Sequence, residues 1–392
     1  MAVVADLEAL VAEGVLTTAQ ADLLRARSRR AMVAMVANVL LAGGVLAAAG
    51  GFVVLLADPL AVAVAGGLFL GAGVAVLSRA GALWRMFGHA AALIGAGMLI
   101  GGGVAKALEV LDEGTASLLF LVAGAGLALV AAAAFRQGRP GLGFVAGFLL
   151  LAGIGLHLGG AYGLAFAHGV GGLPRMMLHL YAAGLVAGAG WLTDVRLVTA
   201  LAIAPFAQML DTSTAYFHAA YVFYSPEPTL SILQMAAAVG LCLWLMRIRS
   251  GRDARHAGIF AMLAFVVGNL CFLVGSLWGD TVGDSWVIAA LEYRYHDWEA
   301  VWAGRQAFRE RALHIPAGVF ALVWAAGLAV CAIWAARNHQ RGLFNAAMTF
   351  GAIHAYTQVF ESFGDNPLAW VIGGLAAIPL AWGLWRLNQR FG

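Results

Sequence analysis

Residues 116–135 read ASLLFLVAGAGLALVAAAAF, with Asp112 and Glu113 just before them and Arg136 just after. That is 20 residues without a charge. As a helix, such a run is about 30 Å long, the thickness of a bilayer's hydrocarbon core. Leu, Ala, Val and Phe surround Gly124 and Gly126 with no polar face. A helix that is apolar all round belongs in lipid.

Working outward, the same pattern recurs. Twelve spans are expected, at 31–57, 60–78, 88–108, 116–135, 141–162, 175–193, 196–213, 230–247, 257–279, 315–335, 342–360 and 367–387. The bulk composition agrees. Of 392 residues 62% are hydrophobic and only 11% charged, with a mean hydropathy of +0.87. Soluble domains carry about 25% charged residues. A soluble enzyme, a disordered tail and a nucleic-acid binder are therefore excluded as classes. Cys242, Cys271 and Cys331 all lie in apolar spans outside any CxxC pattern, so they read as small buried hydrophobes. The first 30 residues are charged and the first apolar run exceeds a signal-peptide core, so Met1 is expected to open the mature chain.

Orientation follows from arginine. With a cytoplasmic N-terminus, 17 of 23 basic residues fall on the inner side, and every short inner loop holds at least one Arg. An eleven-span arrangement would break this alternation. Pro59, Pro140, Pro174, Pro226, Pro228, Pro316 and Pro367 mark span starts, whereas Pro205 and Pro379 fall inside spans and should kink them. The 51 glycines, with Gly95/Gly97, Gly101–Gly103, Gly124/Gly126 and Gly153/Gly155 inside spans, read as tight helix packing. Helix breaks around a binding site are the alternative. The early spans share composition but show no fixed-length repeat.

The expected organisation is a cytoplasmic helical hairpin over 1–30, a bundle over 31–279, an outer loop over 280–314 and further spans over 315–392. In the head, Leu7, Leu10 and Val11 have helical spacing and Gly14 stops that turn. Thr17 and Gln20 then have capping-box spacing for a second helix. This hairpin reads either as a docking module or, preferably, as an amphipathic anchor. It runs Leu7-x-x-Leu10-x-x-x-Gly14-x-Leu16-Thr17-x-x-Gln20-Ala21, and many Gly/Ala/Leu-rich spans follow. With it goes the stretch Phe360-Glu361-Ser362-Phe363-Gly364-Asp365 and a last span ending Trp385-Arg386-Leu387-Asn388-Gln389-Arg390. In these two places, together about 55 residues, the chain resembles the bacterial polytopic membrane proteins grouped as domain of unknown function 2157. The resemblance implies a bacterial inner membrane; it carries no activity and no catalytic residues.

Polar groups inside a membrane are costly, so they are the first functional candidates. His354, Thr357, Gln358 and Glu361 stand at steps 0, 3, 4 and 7 and share one helical face. They can line a water-filled path or form an interhelical hydrogen-bond seam. His157 and His179 lie at similar expected depths on the fifth and sixth spans. A metal or haem between them is the sharper reading; bonding to backbone or headgroup is the preferred one. No other feature points to a cofactor.

In the outer loop, Val287, Leu291, Tyr295, Trp298 and Trp302 recur at steps of 4, 4, 3 and 4, which predicts one amphipathic helix. Trp286, Arg294, Trp298, Trp302, Arg305 and Arg309 are its candidate binding or docking residues. A second outer segment, 211–229, is rich in aromatics. Lys106 with Glu109 and Glu113 reads as a snorkelling ion pair, and Asn38, Gln208, Gln234 and Asn269 as interhelical hydrogen-bonders.

The fold expected is thus an all-α integral membrane protein of about twelve spans, with a cytoplasmic hairpin and one outer-face amphipathic helix. Its partners are the lipid bilayer and, at the outer loop or hairpin, other proteins; nucleic acid is not among them. A transporter or channel for a small solute or ion, through the polar face of the eleventh span, is the preferred function. A non-catalytic structural, assembly or accessory subunit is the alternative. An enzyme acting on lipid-linked substrates is the third reading.

Overall fold

The computed structural model describes residues 7–79, 84–139, 141–217, 222–294, 297–338 and 340–363, with scattered positions from 367 to 386. The chain divides into two compact units, 1–168 and 169–392.

In the first unit, α1 (Leu7–Ala12) ends where Gly14 takes a positive φ of 74°. Thr17 and Gln20 then cap α2 (Thr18–Leu56) reciprocally. The Thr17 amide donates to Gln20 Oε1 at 2.9 Å and the Gln20 amide to Thr17 Oγ1 at 3.3 Å. Arg25 ties the two helices together through Glu8, 3.1 Å away. The second hairpin helix and the first expected span are one helix of 39 residues. The charged stretch 22–30 changes which solvent suits the helix, but it contains no proline or glycine to end it.

Two helical hairpins follow: α3 (Pro59–Arg79) with α4 (Arg85–Val110), and α5 (Glu113–Arg136) with α6 (Gly143–Ala167). Their contacts are backbone on backbone. A Cβ added to Gly66 would lie 2.7 Å from the Gly95 carbonyl oxygen and one added to Gly124 would lie 2.7 Å from that of Gly153. The same additions would strike the amides of Leu99 and His157. Gly102 meets Pro59 and Ala63 as Gly160 meets Ser117 and Leu121. Each pair of equivalent positions is displaced by 58 residues. The second hairpin therefore repeats the first, although composition alone shows no period. The repeat is carried by the few positions where backbones touch; everywhere else any apolar side chain serves against lipid. Gly97, Gly101, Gly103, Gly126 and Gly155 have nothing within 4 Å of an added Cβ and take no part.

The second unit comprises α7 (Gly172–Thr193), α8 (Arg196–Leu201), α9 (Ile203–Ala207), α10 (Pro228–Ile248), α11 (Gly251–Trp278), α12 (Asp284–Arg294), α13 (Trp298–Arg309), α14 (Ala317–Arg337) and α15 (Arg341–Phe363). Two small antiparallel pairs interrupt it. In the first, β1 (Ala215–Phe217) pairs with β2 (Val222–Tyr224), and Ala215 faces Tyr224. In the second, β3 (Asp280–Thr281) pairs with β4 (His314–Ile315), and Asp280 faces Ile315. One core gathers Ala207, Met235, Ala238 and Ala264, and another Trp324, Leu328, Ala347 and Phe350.

Among the described residues eight helices are long and apolar enough to cross a membrane: α3, α4, α5, α6, α7, α10, α11 and α14. Large apolar side chains such as Leu68, Leu129 and Leu322 project outward from these elements. The chain is an all-α polytopic membrane protein whose helices face a lipid bilayer.

Three expectations need correction. The hairpin over 1–30 and the span over 31–57 share one continuous helix. The seventh span, 196–213, is not a continuous helix. It breaks at Ala202, ends at Ala207 just after Pro205, and runs on without helix to Thr214. The outer loop holds two helices rather than one, because Asp297 starts a new one by accepting the Glu299 amide at 3.1 Å. The twelfth span, 367–387, lies largely outside the described residues, as do His218 and Tyr221 of the outer aromatic segment.

Candidate functional site

The interrupted segment runs from one end of α7 back to the other. It starts beside the C-terminus of α7, and Arg175 in the first turn of α7 holds Asp211 at 2.7 Å. The helical part, 12 residues, covers only about 18 Å, and the remainder is irregular backbone. Asp211 and Ser213 both take φ of 54°, a left-handed conformation uncommon outside glycine. Irregular backbone survives at membrane depth only where protein or water satisfies its polar groups.

Here side chains do so. The Gln208 amide nitrogen donates to the Thr214 carbonyl at 2.8 Å, and that of Gln234 on α10 donates to the Phe206 carbonyl. The hydroxyls of Thr212, Thr214, Ser225 and Ser231 are all buried and form one knot. Thr214 Oγ1 lies 3.2 Å from Thr212, 3.1 Å from Ser225 and 2.7 Å from Ser231. Ser225 also donates to the Cys271 sulfur at 3.6 Å. Gln234 Oε1 is buried with no hydrogen-bond partner among the described residues.

Above the knot two helix starts exchange carboxylates. Glu227, just before α10, accepts the amides of Gly283, which precedes α12, and of Ser285 in its first turn at 2.9 and 2.7 Å. Asp280, in β3 four residues ahead of α12, accepts the Thr229 amide of α10 at 2.9 Å. Each acid thus caps the other's helix, where the unsatisfied amides and the dipole favour an anion. Both are buried, Glu227 at 0% exposure, and neither has a basic partner among the described residues. Desolvation pushes the Glu227 carboxyl above its ordinary value, and the Asp280 charge adds to this against the opposing amide bonds. Asp280 Oδ1 and the hydroxyl of Thr229 are buried without partners among the described residues.

Next to them Asp284 is gripped by Arg305, at 2.6 to 3.1 Å, and by Arg309 at 3.2 Å. The Asp284 hydrogen bond raises the Arg305 guanidinium further above its usual range. Trp286 anchors α12 by donating to the Leu210 carbonyl at 2.8 Å. Trp298 and Trp302 are exposed on α13, whose buried residue is Val301, and Arg305 lies over the Trp302 ring. Of the stripe expected through Val287, Leu291, Tyr295, Trp298 and Trp302, Tyr295 lies outside the described residues, and the others fall on two separate helices, Val287 and Leu291 on α12 and Trp298 and Trp302 on α13. Arg294 closes α12.

The eleventh-span candidates lie on α15. The His354 ring meets Trp324 edge-on at 4.8 Å. Trp324 donates to Asn269 Oδ1 at 2.8 Å, and Asn269 donates to its own helix at Phe265. His354 Nδ1 and Gln358 Nε2, one turn apart, are buried without a hydrogen-bond partner among the described residues. Thr357 turns back to the Ile353 carbonyl. Glu361 is on the helix, but its side chain lies outside the described residues.

His157 donates Nδ1–H to the Leu121 carbonyl at 2.8 Å, within the repeated hairpin, where its counterpart one repeat earlier is Leu99. His179 lies on α7, in the other unit. Among the described residues no three His, Cys, Asp or Glu side chains form a metal-holding group.

Sequence reasoning missed one further triplet. Asp194, ending α7, accepts from His256 Nε2 at 3.0 Å, and His256 Nδ1 accepts from the Thr199 hydroxyl at 2.6 Å. A carboxylate only accepts, so Nε2 carries a proton, and in the neutral ring Nδ1 is the acceptor. The connectivity is that of a nucleophile, base and orienter. Thr199, however, is buried against the Gly190 backbone, so no substrate reaches it; the triplet fastens α7, α8 and α11 together. His256 first, then Arg255, hold the Asp194 carboxyl below its ordinary value. Asp194 and Thr199 are five residues apart, but His256 lies about 60 residues further on, and the three carry no motif.

Comparison with protein-family models, curated proteins and solved structures finds no match.

Proposed function

We propose that the chain is a transporter or channel for a small solute or ion, with its path in the second unit. The observation that carries this reading is the interrupted crossing, residues 196–214. A broken helix held open by buried side chains is how membrane carriers expose backbone groups to a substrate or ion. Gln234 Oε1, His354 Nδ1 and Gln358 Nε2 add buried polar atoms without a partner among the described residues, which water or a passing solute would satisfy. Twelve crossings, the broken one included, and a bacterial inner membrane with both termini cytoplasmic complete the proposal. The arginine distribution and the family resemblance support them.

The test replaces the three cysteines, then introduces Gln234→Cys and Gln358→Cys singly. Each variant is reconstituted in sealed vesicles and exposed to a charged methanethiosulfonate reagent. Expected is reaction at both positions and a fall in proton or sodium flux, read by entrapped dyes. No reaction at either position overturns the path.

The alternative is an accessory subunit docking through α13. Exposed Trp298 and Trp302 favour it. It predicts crosslinks from α13 to a second protein in intact membranes and unreactive Gln234→Cys and Gln358→Cys.

A further inference from the structure

At the arginine-bearing end of the second unit, α8, α10 and α11 border an open groove of about 460 Å³. Arg196, Arg255, Met246, Ile259 and Met262 are among its lining residues. On α11 the lining residues Arg255, Gly258, Ile259 and Met262 stand at steps 0, 3, 4 and 7, so they form one stripe along the helix. Charge is at the helix end and apolar surface lies one to two turns deeper into the span. Gly258 keeps the stripe open: an added Cβ would meet nothing nearer than Met246 at 3.6 Å.

The two arginines differ. Arg255 is partly committed, with one guanidinium nitrogen on Asp194 at 3.0 and 3.2 Å. Arg196 makes no hydrogen bond or ion pair among the described residues. Leu197, Trp244 and Ile248, close in sequence to the lining residues Arg196 and Met246, are exposed apolar side chains. Exposed apolar surface next to arginine suits a lipid's chains and headgroup together.

We propose that this groove holds one anionic phospholipid of the leaflet at the arginine-bearing end. The phosphate sits between Arg196 and Arg255, and an acyl chain follows Gly258 towards Met262. Guanidinium matches phosphate in charge and in paired hydrogen-bond geometry. The apolar wall then supplies what a free anion could not use. The site shares only Arg196, at its start, with the interrupted crossing, and lipid retention is read without any transport assay.

Native mass spectrometry of the full chain, purified in a neutral detergent, tests it. Phosphatidylglycerol and phosphatidylcholine are added in turn. Expected is one phosphatidylglycerol retained per chain in preference to phosphatidylcholine. Arg196→Gln should lower that retention about five-fold, the scale of one arginine at a lipid surface. Gly258→Leu, which fills the notch and keeps both charges, should lower it comparably. Arg249→Gln, nearby but outside the groove, should leave it unchanged. If Arg196→Gln does not fold, Gly258→Leu decides alone. Equal retention of the two lipids, retention unaffected in both groove variants, or displacement by inorganic phosphate would each overturn the proposal, the last by making this a free-anion site.

Discussion

In residues 7–168 helices meet chiefly through glycine; in residues 169–392 side-chain hydrogen bonds join apolar cores in holding them. In the first unit Gly66, Gly95, Gly102, Gly124, Gly153 and Gly160 bring backbones together, and one hairpin repeats the other. In the second unit Thr212, Thr214, Ser225 and Ser231 knot an interrupted helix, and Glu227 and Asp280 exchange caps. Lipid gives helices no hydrophobic reason to associate. Close van der Waals approach is one answer and leaves a dry interface. Polar bonding is the other, and it leaves groups that can change partners. This contrast is why the path is proposed in the second unit.

The largest effect expected is at the buried ion pair. Arg305→Met leaves Asp284 buried with only the more exposed Arg309, and should cost roughly 4 kcal/mol in denaturant unfolding followed by tryptophan fluorescence. Arg309→Met should cost less than about 1 kcal/mol. Equal losses would show that electrostatics does not set the packing of α12 and α13.

Next come the glycines. Gly95→Leu and its repeat partner Gly153→Leu should each cost about 3 kcal/mol by overpacking against backbone. Gly97→Ala and Gly155→Ala, facing open space, should stay within about 0.5 kcal/mol of the parent. A large difference between the two leucine variants would break the repeat.

Trp324→Phe removes the donor to Asn269 Oδ1 and should cost about 2 kcal/mol. The mirror experiment is His157→Leu, which restores the residue type of the other repeat. It removes a bond in the glycine-packed unit and should cost less than about 1 kcal/mol, since the Leu121 carbonyl lies within a helix.

A pH series isolates Glu227. Its folded carboxyl titrates above the ordinary range, whereas the unfolded one does not. Below the ordinary value both states are protonated and no pH term arises. As pH rises past it the unfolded carboxyl ionises first, so stability falls until the raised folded value is passed. Glu227→Gln should flatten that fall. An unchanged slope would mean another group titrates in the window.

Much of this was legible in the residues. The long apolar runs, Pro59 and Pro228 at helix starts, and the Thr17–Gln20 spacing follow from local chemistry, so chain order suffices to read them. His354 and Gln358 could be set on one face from spacing alone, but their buried, unpartnered nitrogens could not. Gln208 and Gln234 read as ordinary hydrogen-bonders; that they hold a broken helix depends on Phe206 and Thr214 coming back beside them. Pro205 signalled a kink, and the outcome was a helix end. Trp298 and Trp302 fitted a periodic stripe, yet the break at Asp297 turned them outward.

The sequence by itself determined that this protein lives in lipid, because hydrophobic length is a local sum over neighbouring residues. It also determined where arginines punctuate the spans. Only the tertiary structure decided which glycines touch backbone, that two hairpins repeat, and that Glu227 and Asp280 each serve the other's helix. Those facts depend on atoms tens of residues apart meeting within a few ångströms, and an apolar run carries no record of which face will be met.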